Sequence, residues 1–251
     1  MISIAHVIVL VVSGVVAGVI GSAGGITSLV SYPALLAVGI PPLPANVTNV
    51  VALVGSFPGA ALGSRTELRG QVSWLRRWAP VAAVGSVLGV ALLLLTPVQL
   101  FNHLVPYLLL LASFALFFQP LLSRWHEAHV HRQGAMLGWG LFAVSVYSGY
   151  FGAGSGIMAL ALILLTVDPD FARANALKNM ILGVATLVAA LGFLIFGPVH
   201  LVAALCLGAG CVVGSFLGPS VARTIPGDVL RVIAAAFGIG LAVWFFVNPG
   251  S

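Results

Sequence analysis

GSAGGITSLVSYPALLAV, residues 21–38, decides how this chain is read. The apolar run over 26–38 is shorter than the roughly 20 residues a helix needs to cross a bilayer, and it opens on Gly21, Gly24 and Gly25. GAGSGIMALALILLTV, residues 152–167, repeats the plan: Gly152, Gly154 and Gly156 precede a run over 157–167. Interrupted backbone leaves amides and carbonyls unpaired, which lipid tolerates only where protein buries them or a wet cavity receives them. Both stretches are therefore expected as broken or re-entrant half-helices.

The surrounding sequence supports that reading. Hydrophobic residues make up 61% of the chain and charged ones only 6%, against about a quarter charged in ordinary soluble domains, so a water-soluble fold is excluded. The expected architecture is all-α integral membrane, with about eight transmembrane helices. These are placed near 2–20, 47–63, 78–96, 101–122, 134–151, 177–196, 200–222 and 229–247. The first run has no basic segment before it and no small-residue cleavage site after it, so it is read as a retained helix. Cys206 and Cys211 are read as small core residues.

The ten Lys and Arg are scattered, so nucleic acid is not an expected partner. They are topology signals instead. Arg65, Arg69, Arg76 and Arg77 are assigned to one loop, Arg124 and Arg132 to the next, Arg173 and Lys178 to a third, and Arg223 and Arg231 to the last. The loops near 39–46 and 97–100 and both termini have none. If each short run pairs with the preceding helix as a hairpin, all four basic loops share one face. That face is expected to be cytoplasmic, with both termini outside.

A shift of about 129 residues recurs along the chain. Asn46 maps onto Asn175, Gly85 to Gly89 onto Gly214 to Gly218, Pro97 onto Pro226 and Phe117 onto Phe246. With small slips, residues 21–25 align with 152–156, and 45–49 with 174–179. Two repeats are expected, 1–122 and 134–251, joined by a cytoplasmic linker over 123–133. With five elements in each, the second enters from the side opposite the first, and the repeats are inverted. The Lys and Arg pattern agrees, since loop 39–46 has neither and its counterpart 168–176 carries Arg173 beside Asp168 and Asp170. Secondary transporters are often built this way, with solute near the midplane between the repeats.

The candidate site follows from that plan. A helix restarting after Gly24 and Gly25, or after Gly154, Ser155 and Gly156, presents free amides and a positive dipole end suited to an anion. Thr48 and Asn49, with Lys178 and Asn179, are placed at the start of the helix after each short run, where polar groups are costly unless they face a polar interior. The competing reading is capping for the neutral residues and cytoplasmic anchoring for Lys178. Ser22, Ser28, Ser155, Tyr147 and Asn102 are weaker candidates. Gly85 and Gly89, with Gly214 and Gly218, read as helix packing. All five acids, Glu67, Glu127, Asp168, Asp170 and Asp228, fall in expected loops, which argues against a cation pump. His126, His129 and His131 beside Glu127 have the composition of a metal site, yet their place is the linker, and a solvated segment is favoured. His103 and His200 lie at span ends.

These residues also resemble a known family, the sulfite exporter TauE/SafE family, also called the toluene sulfonate uptake permease family. The first half supplies Gly24-Gly25, Pro33-Ala34-Leu35-Leu36, Ala45, Thr48-Asn49, Gln71-Val72-Ser73-Trp74 and Gly85 to Gly89. The second supplies Gly152 to Gly156, Ala174, Lys178-Asn179 and Gly214 to Gly218. The second half lacks a Pro in the run after its glycines and carries Lys178 where Ser or Thr is more usual. The resemblance implies a permease or exporter, not an enzyme, in a bacterial inner membrane, moving sulfite, an organosulfonate or a related sulfur anion without a cofactor. It leaves room for a homodimer.

Alternating access at a site between the repeats is the expected mechanism, without ATP, since no G-x-x-x-x-G-K-[ST] loop occurs. Two other classes compete. A membrane assembly subunit without transport would need a docking loop, and none is long enough. An intramembrane serine hydrolase using Ser155 would need glycine where Ala153 stands in a G-x-S-G motif, and no histidine lies deep in a span.

Overall fold

Loss of water forces every backbone amide into a local partner, and the chain meets that demand with helices. The computed structural model describes residues 3–24, 27–124 and 133–222, together with 239, 240 and 243; the described residues contain no strand. The helices are α1 (Ile4–Gly24), α2 (Thr27–Ala37), α3 (Pro42–Leu53), α4 (Ser56–Gly63), α5 (Val72–Leu95), α6 (Val98–Arg124), α7 (Gln133–Tyr150), α8 (Ser155–Thr166), α9 (Phe171–Phe196) and α10 (Leu201–Ala222). Among these residues, Ile4–Ser22, Pro42–Gly63, Val72–Leu95 and Phe171–Phe196 combine the length and apolarity needed to cross a bilayer. The expected span 229–247 and most of the linker 123–133, with its three histidines and Glu127, lie outside the described residues.

Lipid replaces water on the outer faces. Ile4, Ile8, Val12 and Val16 form one exposed apolar stripe down α1, and Leu187, Leu191 and Leu194 another down α9. Their spacing of three or four residues keeps each stripe on one side of its helix. The inner faces are close-packed through small residues. A Cβ on Gly14 would collide with Leu207 and Gly210, and one on Gly18 with Cys211, Gly214 and Ser215. A Cβ on Gly85 would meet Phe142 and Ser145, and one on Gly89 would meet Val146, Gly149 and Tyr150. Numbering rises together in each pair, so α1 runs parallel to α10 and α5 parallel to α7. The packing role expected for Gly85, Gly89 and Gly214 holds; the partner motif Gly14-x-x-x-Gly18 was not anticipated, and on α10 it meets Gly210 and Gly214.

Several sequence boundaries need correction. The span expected over 47–63 begins earlier and is broken. Pro41, Pro42 and Pro44 supply the extended entry and preset φ that start α3 at Pro42. At Val54 and Gly55 the amides bond three residues back, to Val51 and Ala52, where α10 presses so close that a Cβ on Gly55 would meet the Gly208 carbonyl. Helix α9 likewise starts at Phe171, six residues before the expected 177, because Asp170 accepts from the Arg173 amide at 2.8 Å as its N-cap. Thr48, Asn49, Lys178 and Asn179 are thus inside helices rather than at their starts. Arg76 and Arg77 belong to the first turns of α5, not to a loop, and the Arg77 guanidinium lies 5.3 Å from the Trp78 ring centre.

Candidate functional site

Each half begins with a helix that breaks and restarts. In the second half, Tyr150 ends α7, Gly152 and Gly154 take φ of +81° and +80°, and α8 begins at Ser155 with Gly154 as N-cap. Only glycine enters that left-handed region without strain. The Tyr147 hydroxyl donates to the Ala153 carbonyl at 2.7 Å, and Ser155 Oγ to the Gly152 carbonyl at 2.7 Å, fixing the reversal. In the first half, α1 ends at Gly24 and α2 restarts at Thr27. Gly25 lies outside the described residues.

The two breaks meet at one cavity of about 110 Å³, room for several waters or one small solute. Gly21, Ser22, Thr27 and Ser28 line it from the α1–α2 break, and Ser148, Gly152, Ser155 and Gly156 from the α7–α8 break. The starts of α2 and α8 therefore both border the cavity, with the Ser155, Ile157 and Met158 amides of α8 already bonded to the Gly152 and Gly154 carbonyls. Val50, Leu53, Val54 and Phe57 close it from α3 and α4, and Asn179, Leu182, Gly183 and Thr186 from α9. Members of those two sets stand 129 residues apart, pair by pair, as do Thr27 and Gly156. The cavity lies near the middle of α9, whose 26 residues span about 39 Å at 1.5 Å each.

Electrostatics single out one residue. Lys178 projects from α9 into the cavity, is 1% exposed, and its Nζ has no hydrogen-bond partner. No described acid lines the cavity; Asp168 instead pairs with Arg173 at 3.1 Å beyond the start of α9. A buried ammonium without a counter-charge is costly, and an anion in the cavity would offset that cost.

Of the residues singled out from sequence, Ser155, Gly156, Lys178 and Asn179 line this cavity, together with Ser22 and Ser28. Gly154 stands beside it as the N-cap of α8, and Gly24 ends α1. Thr48 and Asn49 are held elsewhere: Thr48 Oγ1 accepts from the His200 amide at 3.0 Å, and Asn49 Oδ1 from Ser31 Oγ at 2.6 Å. Thr27, Ser56, Phe57 and Thr186 were not anticipated. The 129-residue shift applied without slips places Val50 with Asn179 and Phe57 with Thr186, and so was a usable signal.

Two asparagines tie the breaks together. Asn46 Nδ2 donates to the Tyr150 carbonyl at 2.9 Å, and Asn175 Nδ2 to the Ser22 carbonyl at 3.0 Å. Each reaches from one half to the end of the opposite half's first helix.

A polytopic helical bundle with a small cavity at two helix breaks is an architecture found in membrane transporters. The family model for the sulfite exporter TauE/SafE matches residues 7–245, and the chain belongs to that family. It is 28% identical over 247 residues to the probable membrane transporter protein ORF9 of a Sinorhizobium species, covering 96% of this chain and 92% of that one. A probable membrane transporter protein of Haemophilus influenzae is 30% identical over 225 residues, covering 87% and 86%. No solved structure matches the chain.

Proposed function

We propose that this transporter moves a small anion, sulfite or an organosulfonate, by alternating access at the cavity between two inverted repeats. The observation that carries this reading is Lys178, whose buried Nζ has no hydrogen-bond partner and which lines the cavity beside the starts of α2 and α8. Helix starts favour negative charge through their dipole, and a bound anion would hold the neighbouring lysine in its charged form. The 129-residue pairing of the cavity walls and the matching asparagine bonds support an inverted repeat, in which the halves 1–122 and 134–251 rock about a fixed site.

The positive-inside rule, which counts Lys and Arg, puts the segments that carry Arg65 and Arg69 and Arg173 in the cytoplasm of a bacterial inner membrane and loop 39–46 outside. Purified protein in liposomes, screened with sulfite, sulfate, thiosulfate, taurine and sulfoacetate, tests the proposal. Saturable sulfite or sulfonate flux that Lys178→Gln lowers at least about tenfold is expected; flux of none of these anions, or flux indifferent to Lys178, defeats it.

A further inference from the structure

Resting on the anion site proposed above, the cavity holds a single group that can gain and lose a proton. Lys178 lines it, is buried, and its Nζ has no hydrogen-bond partner. Among the described residues the rest of the lining is glycine, serine, threonine, asparagine and apolar side chains. Asn49, at the equivalent position of the first half, does not titrate and is bonded to Ser31.

The ionisable groups on the surrounding helices face other partners. Helices α3, α4 and α8 have no Asp, Glu, His, Lys, Arg, Tyr or Cys. On α2 and α7, the Tyr32 hydroxyl donates to the Pro42 carbonyl at 3.4 Å, Tyr147 to the Ala153 carbonyl at 2.7 Å and Tyr150 to Thr96 Oγ1 at 3.4 Å. His6 sits in the first turn of α1, and Arg76 and Arg77 in the first turns of α5. Arg173 pairs with Asp168 at the start of α9, and Glu67, in the turn before α5, does not line the cavity.

We propose that Lys178 carries one proton across the membrane with each anion. A buried ammonium that loses its counter-charge is costly, and releasing a proton removes that cost. Anion and proton therefore strengthen each other's binding, and the coupling is reciprocal. On the side to which the cavity opens, a proton from water bonds to the Nζ lone pair as the anion enters, and the two form an ammonium–anion pair. On the other side the anion leaves, the N–H bond breaks and the proton passes to water. The empty carrier then returns with a neutral amine. One proton moves per anion because only one of the two repeats supplies a lysine.

An anion of fixed charge is needed to see this, since sulfite itself takes up a proton near neutral pH. Liposomes holding the purified full-length protein and a luminal pH dye are given methanesulfonate or sulfoacetate outside. Equal potassium on both sides with valinomycin holds the membrane potential at zero. The lumen should acidify by about one proton for each anion that enters. Anion entry without acidification overturns the inference and leaves the anion carrier standing. Entry of neither anion also overturns it, and sulfite flux in the wider screen then decides whether the carrier reading falls too.

Lys178→Arg keeps the positive charge but cannot release a proton. Exchange of labelled for unlabelled anion should persist in this variant, because the carrier then crosses only when loaded. Net entry and acidification should fall at least about tenfold, because the empty carrier would have to return charged. Acidification equal to the wild type overturns the proposal. Should arginine prevent folding, the wild-type proton count decides by itself.

Discussion

Asn46 and Asn175 stand 129 residues apart and make the same bond in opposite directions, Asn46 to the Tyr150 carbonyl at 2.9 Å and Asn175 to the Ser22 carbonyl at 3.0 Å. Both accepting carbonyls belong to the last turn of a helix that is about to break, where the helix itself supplies no donor. Neither Oδ1 has a partner, so each side chain is oriented by its amide nitrogen alone. Interhelical bonds of this kind in membranes contribute about 0.6 kcal/mol on average and up to about 1.7. Asn46→Ala and Asn175→Ala should each lower stability by about 1 kcal/mol, and together additively, since they share no partner. Thermal unfolding in detergent checks this; a neutral Asn175→Ala beside a costly Asn46→Ala would deny their equivalence.

Asn49 and Asn179 separate holding the fold from holding the solute. Asn49 Oδ1 accepts from Ser31 in a buried contact, so Ser31→Ala should cost about 1–2 kcal/mol of stability with apparent affinity unchanged in the folded fraction. Asn179 lines the cavity, and Asn179→Ala should weaken apparent affinity several-fold while the unfolding temperature barely moves. Flux and unfolding measured on both variants would expose an exchange of those roles.

The Phe57 ring lies against Gly183 across the cavity, and a Cβ on Gly183 would meet the ring itself. Gly183→Ala must push the ring aside, into or out of the solute space. Reduced transport is expected, with recovery in the Gly183→Ala, Phe57→Ala double variant. A double-variant cycle on flux measures the coupling, and additive losses would show that the contact is not what limits movement.

Gly89 tests the packing account. Its Cβ would strike the Val146 carbonyl and the Gly149 backbone of α7, which cannot swing away as a side chain can. Gly89→Ala should force α5 and α7 apart and lose several kcal/mol, in the range for overpacked cores. Gly134, with nothing near its missing Cβ, should accept alanine without effect. Yield of monodisperse protein compares the two.

Much of this was legible in the sequence, for identifiable reasons. Apolar run length fixed the membrane class, and the glycine clusters located both breaks, at the second because glycine readily adopts the φ seen at Gly152 and Gly154. Helix starts were missed where local chemistry overrode hydropathy: the prolines before α3 and the Asp170 cap of α9 add about two turns that apolarity alone does not mark. Those turns carry Asn46 and Asn175, and they place Lys178 in the interior instead of at a cytoplasmic anchor. Thr48 and Asn49 matched the pattern of a site residue, but their direction depends on His200 and Ser31, contacts no local pattern encodes.

The proposed inverted repeat has the two halves threaded in opposite senses, and sidedness tests it most directly. Ala37, at the end of α2, and Ala172, at the start of α9, are both exposed. Single cysteines there, in a background with Cys206→Ala and Cys211→Ala, can be labelled in intact cells with an impermeant maleimide. The account predicts labelling of Ala37→Cys from outside and of Ala172→Cys only after the membrane is opened; labelling of both from the same side would contradict it.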